Sequence, residues 1–130
     1  MDSPWENFPY SELRCHCGRC DSDGSEISPE LMDRIQALRN LLGFPLPLSS
    51  AYRCHRHPAE AKKDEPGTHH LGLAVDIKVS RQRAHQVLTA ALRMGCFTGI
   101  GINQKGGGRF IHLDIASTAA NRPRPHVWSY

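Results

Sequence analysis

Nowhere in this 130-residue chain is there a run of the roughly 18 apolar residues that a membrane-crossing helix needs. Its first ten residues, MDSPWENFPY, have neither the basic start nor the apolar centre of a secretory leader. The protein is therefore expected to be made in the cytoplasm and to have no membrane contact. Work outside would need another export route or a leader upstream. Internal repeats and low-complexity tracts are missing too, which excludes solenoids and disordered linkers. Charge of one sign is scarce: 16 Lys and Arg stand against 13 Asp and Glu, a net charge of +3. That balance suits a loosely anionic partner but is too weak for a nucleic-acid footprint. With five cysteines, an even disulfide framework is also ruled out.

What is present is an ordinary globular composition, 39% hydrophobic and 22% charged. A chain of this length buries one core unaided, so a single domain over residues 1–130, acting as a monomer, is expected. Ser28 and Pro29 mark a helix start, a capping side chain followed by proline in the first turn. Leu31, Ile35, Leu38 and Leu42 then make one apolar stripe, and Gly43 is placed to end the helix. Pro45 and Pro47 make FPLPLSSAYR extended. The polar segment HRHPAEAKKDEPGT, residues 55–68, is a long loop of the kind that carries function.

A strand is expected at about Leu73–Val79. Ser80 would cap a second helix with Ala84, Val87, Leu88, Ala91 and Leu92 on its apolar side, ending at Gly95. TGIGINQKGGGRFIHLDIA predicts a hairpin turning at Gly106–Gly108, with its second strand from Arg109 to Ile115. The tail RPRPHVWSY reads as irregular, packed back through Trp128 or Tyr130, and Cys96 reads as a small core residue. The sum is an α+β fold: a small, mainly antiparallel sheet packed with two main helices.

The stretch HHLGLAVDI sets a carboxylate inside a strand-like apolar run. Alternation puts Leu73, Val75, Ile77 and Val79 on one face and Asp76 on the other. In the hairpin strand Ile111, Leu113 and Ile115 share the core face, while His112 and Asp114 point the opposite way. His69 lies just before the first strand, where a loop can fold it over the same surface. Two imidazoles and one carboxylate leave a fourth position open for water, the ligand set of a catalytic zinc rather than a closed structural one. His70 misses the spacing by one and reads as a neighbour.

His69-x-x-Gly72-x-Ala74-x-Asp76 followed by His112 in FIHLD resembles the zinc D-alanyl-D-alanine carboxypeptidase family, whose fold is shared with hedgehog signalling domains. LSSAYRCHRH resembles that family's Ser-x-x-Arg segment, and GIGI before the last ligand strand is similar too. The likeness runs from about residue 7 to residue 130 and is nearest to short phage and bacterial members that act on wall peptides. It implies that His69, Asp76 and His112 bind zinc, and that Arg53 holds a substrate carboxylate or the developing oxyanion. It also implies a bacterial cell-wall peptide as substrate, cut by zinc-activated water, with the wall or periplasm as the place of action of a phage lysin.

Two departures stand out. Gly67, beside Thr68, occupies the place of the family's serine two residues before the first histidine. Arg109 occupies the place of the acidic base that several members carry three residues before the last histidine. Asp114, one pleat from His112, is the expected substitute, with Glu60, Asp64 and Glu65 of the polar loop behind it.

Cys15, Cys17 and Cys20 in CHCGRC, together with Cys54, leave three states open: a second, structural zinc site, a disulfide from Cys54, or free thiols. Three functions follow in order of support. The first is a zinc metallopeptidase acting on peptidoglycan stem peptides, as endolysin, endopeptidase or carboxypeptidase. The second is a zinc-containing binding module without catalysis. The third, a Cys/His nucleic-acid ribbon over Cys15–His57, predicts salt-sensitive DNA affinity and leaves Asp76 and His112 unexplained.

Overall fold

The computed structural model describes residues 2–63 and 65–130. The described elements are α1 (Tyr10–Leu13), α2 (Pro29–Leu42), β1 (Leu48–Ser50), α3 (Pro58–Ala61), β2 (Ala74–Ile77), α4 (Arg81–Met94), β3 (Gly99–Asn103), β4 (Phe110–Asp114) and β5 (His126–Ser129). The strands form one sheet in the order β1-β2-β4-β3-β5. Pairing is antiparallel except where β5 runs parallel to β3. This is the expected α+β architecture, with α2 and α4 as the two long helices.

α2 starts where the Ser28 side chain accepts the Leu31 N–H and Pro29 fills the first turn. It stops at Gly43, which takes the left-handed conformation at φ 75°. Leu31, Met32, Ile35 and Leu38 form its buried face, and Ala84, Val87, Ala90 and Ala91 form that of α4. Both faces join Val75, Ile77, Ile100, Ile111 and Leu113 of the sheet in one core, which Trp5, Phe8 and Leu13 extend from the N-terminal segment. Each fully buried Leu or Ile contributes about 1.5–3 kcal/mol. That layer fixes the platform on which the polar face of the sheet is built.

Several local expectations are corrected. Ser80 occupies the N-cap of α4 but its side chain makes no capping bond; the chain enters the helix through Arg81 at φ 54° instead. Leu92 is 56% exposed, because the buried stripe of α4 passes through Ala90. The strand expected over Leu73–Val79 shortens to Ala74–Ile77, and all four of its residues are buried because both sheet faces are covered. The loop over residues 55–68 contains the single turn α3, where the His57 ring accepts the Ala59 N–H. Cys96 is half-buried at the edge of the core. The tail expected to be irregular is strand β5, paired with β3 from Gly99–His126 to Ile102–Ser129. Its prolines, Pro123 and Pro125, precede the strand and so remove no donor from it.

Candidate metal centre

Sheet register assembles the site. Asp76 on β2 lies opposite His112 on β4, His112 opposite Gly101 on β3, and Gly101 opposite Trp128 on β5. Residues paired in such a row project to one face, here the face away from α2 and α4. His69 arrives from the turn before β2, where Arg53 and Gly72 both donate backbone N–H groups to its carbonyl. Gly72 is needed there: its φ is +73°, and a Cβ would run into the Glu26 carbonyl oxygen. Ala74, fully buried opposite Asp114, is the small residue of the same motif.

Around Asp76 the two imidazoles converge. His69 Nε2 is 3.2 Å and His112 Nδ1 3.0 Å from Asp76 Oδ1, and one ligand atom from each residue lies within 4.8 Å of the others. The far side of each ring is held by an acceptor. His69 Nδ1 is 2.7 Å from the Ala51 carbonyl oxygen and therefore donates to it. His112 Nε2 donates to Asp114 Oδ2 at 2.7 Å. The nitrogen of each ring that faces Asp76 is the one placed to ligate a metal. Two imidazole nitrogens and a carboxylate, with tautomers fixed by outer acceptors, are the donor set and support of a metal centre.

Burial by itself would raise the Asp76 carboxyl, but the hydrogen bonds from His112 and His69 outweigh it and hold it well below the usual carboxylate range. Asp114 is pulled down to about 2: burial opposes ionisation, and His112 and Arg124 overcome it. For His112, burial disfavours the charge, while Asp114 and Asp76 raise its pKa. Arg53 stands at the edge of the cluster, its side chain 19% exposed. Its Nε donates to Ser50 Oγ at 2.9 Å and its Nη2 to Asp76 Oδ2 at 3.3 Å. These bonds fix the guanidinium plane and leave its Nη1 edge, among the described residues, for a ligand.

The structure thus brings together His69, Asp76, His112 and Arg53. His70 serves the loop instead: its Nδ1 pairs with the Arg53 carbonyl and its ring stacks on Tyr52. Asp114, the expected base, lies on the far side of His112 from Asp76. It is fully buried, Oδ2 accepts from His112 and Arg124, and Oδ1 accepts from Arg124 and the Ala116 N–H. No lone pair is left over for a water. Arg109 folds back onto the Gly106 carbonyl and lines the α4 side of the sheet beside Ile111. Of the loop carboxylates, Glu60 is buried beside Lys63 and Glu65 is exposed, while Asp64 lies outside the described residues.

The family model described as Peptidase M15 matches residues 6–114. This chain belongs to the peptidase M15 family. No curated protein matches it. The M15 enzymes are metallopeptidases, so membership supports peptidase activity and a bound metal, and the His69–Asp76–His112 cluster is where this chain offers ligands for one. Among the described residues, no helix is long and apolar enough to cross a membrane.

Two site residues beyond the matched M15 segment escaped the sequence reading. Arg124 gives Asp114 two bonds, from Nε at 3.0 Å and Nη2 at 2.8 Å, and lies over the Trp128 ring at 4.9 Å. Trp128 in turn packs on His112, with ring centroids 5.1 Å apart. Trp128 was expected to pack the tail back, but the sequence signal that tied the pair to this site was the glycine alternation in GIGI. A Cβ on Gly99 would strike the Asp114 carboxylate, and one on Gly101 would strike the Trp128 indole.

Proposed function

We propose that this protein is a zinc metallopeptidase that hydrolyses an amide bond in peptidoglycan stem peptides, acting as a monomer. The observation that carries the reading is the convergence of His69 Nε2 and His112 Nδ1 on Asp76, with both rings locked from behind. Zinc bound there would supply Lewis-acid polarisation of an amide carbonyl and a water acidified to a pKa of about 7. The chain's own residues do the rest. Asp76 brings the negative charge that offsets the cation. Ala51 and Asp114 keep the two imidazoles in the tautomers that face it. Arg53, held by Ser50 and Asp76, presents its free N–H edge to a substrate carboxylate or to the oxygen on which charge develops. The stem peptide as substrate rests on the likeness to wall-peptide peptidases and on the mildly basic charge of the chain.

A zinc-holding binding module without turnover is the second reading. It is favoured by Arg109 facing the α4 side and by Asp114 having both oxygens engaged. The test is digestion of purified muropeptides, read by mass spectrometry with and without a chelator. Chelator-sensitive cleavage of a stem-peptide amide is the expected result. Muropeptides bound but uncut by zinc-loaded protein would leave the second reading. Protein purified without chelators that carries no metal and cannot be loaded would overturn both.

A further inference from the structure

The second metal-ligating cluster lies in the N-terminal part of the chain. After α1 the chain runs through residues 14–28 without helix or strand, and this segment holds Cys15, Cys17 and Cys20. Gly18, at φ +74°, turns it between the second and third of these. Cys54, the residue after Arg53, completes the group. One sulfur from each of the four lies within 4.8 Å of the others. Cys17 Sγ lies 3.4 Å from Cys54 Sγ and 3.6 Å from Cys20 Sγ. Four sulfurs around one point are more than a disulfide uses, since a disulfide draws two together and leaves two thiols behind. A tetrahedral ion with metal–sulfur bonds of about 2.3 Å sets its sulfurs about 3.8 Å apart, within the range seen here.

Two further features fit a thiolate site. The Arg19 N–H points at Cys17 Sγ from 3.3 Å, a donor that stabilises negative charge on that sulfur. Cys15 and Cys54 are buried while Cys17 and Cys20 are half-buried, so the group is enclosed on one side and open to an entering ion on the other. The segment has little else to order it. Leu13 and Ile27 are buried at its ends. Between them the Cys15 N–H donates to Ser22 Oγ, and Ser22 and Gly24 donate to Glu26.

We propose that Cys15, Cys17, Cys20 and Cys54 bind a second, structural zinc ion that fastens the N-terminal segment to the chain at Arg53. Four thiolates close the coordination sphere, so this ion has no open position and takes no part in hydrolysis. Its anchoring residue Cys54 neighbours Arg53, and Arg56 Nη1 bridges back to the Arg19 carbonyl at 3.0 Å. The ion therefore steadies the loop that carries Arg53.

Metal content of the full chain, purified without chelators, tests this. Wild-type protein should hold about two zinc ions. His112→Ala and the double variant Cys17→Ser/Cys20→Ser should each hold about one, lost from different sites. Cobalt-loaded wild type should show thiolate-to-metal charge-transfer absorption that His112→Ala keeps. One ion in the wild type and also in the cysteine variant would overturn the proposal. So would an intact mass lowered by the hydrogens that a disulfide removes. If the cysteine variant fails to fold, the cobalt spectrum of the wild type decides: without a thiolate band the site is not a metal site.

Discussion

Asp114→Asn separates a carboxylate that positions a ligand from one that moves a proton. Asp114 accepts four hydrogen bonds with no exposure to solvent: from His112 and Arg124 at Oδ2, and from Arg124 and the Ala116 N–H at Oδ1. An asparagine has one oxygen and one NH2 in the same space. With its oxygen in the Oδ2 place, the NH2 confronts Arg124 Nε and the Ala116 N–H. Turned the other way, the NH2 confronts His112 Nε2–H and Arg124 Nη2. Either orientation strands two buried donors, each costing about 1–3 kcal/mol. The expected loss is about 2–6 kcal/mol, a large part of the stability of an ordinary domain.

The second orientation also pushes His112 toward the wrong tautomer, so metal affinity should fall about 10–100-fold. Stability is read by urea unfolding, affinity by competition with a chromophoric chelator, and turnover on muropeptides against zinc concentration, below the unfolding midpoint. Excess zinc should restore most of the rate. Unchanged affinity with a rate that stays about 10²–10⁴-fold down at saturating zinc would refute the positioning role and return Asp114 to acid–base duty.

Arg53→Lys keeps the charge but loses the fork that reaches Ser50 and Asp76 together; cleavage should fall by orders of magnitude while zinc content, measured by elemental analysis, stays the same. Gly99→Ala should destabilise more than Gly101→Ala in urea melts. The first strikes a carboxylate held by four bonds, the second a half-exposed indole that can give way at about 1–3 kcal/mol. In the metal-free protein, Asp114 sits at about 2 against about 3.9 unfolded. Its contribution is complete above about pH 4 and lost as pH falls toward 2, a limb of the acid-unfolding curve that Asp114→Asn should flatten.

Features set by local chemistry were legible in the sequence. Ser28, Pro29 and Gly43 bound α2 as their local chemistry dictates, and period-two alternation placed Asp76, His112 and Asp114 on one face of the sheet. Face assignment, however, says nothing about what shares the face. Asp114 looked like a free carboxylate because its partner, Arg124, is ten residues on in a tail framed by prolines, where no periodicity announces a strand. Likewise Leu92 falls on an apolar side by spacing alone. Which side of an Ala-rich helix is buried depends on where the sheet lies, and that information is tertiary. Gly99 and Gly101 carried the missing message as vacancies, read correctly only once the neighbours they admit were known.

The parallel pairing of β5 with β3 bears on how the molecule is made. His69, Asp76, His112 and Asp114 all precede Arg124 and Trp128 in the chain. Until β5 docks, the chain has the ligands but not the guanidinium that neutralises Asp114, and β3 is a bare sheet edge at Gly99–Asn103. Such an intermediate would tend to accept a stray strand along that edge. A fully supported metal centre thus waits on the docking of β5, and released chains truncated before residue 124 should load zinc poorly even though every ligand is present.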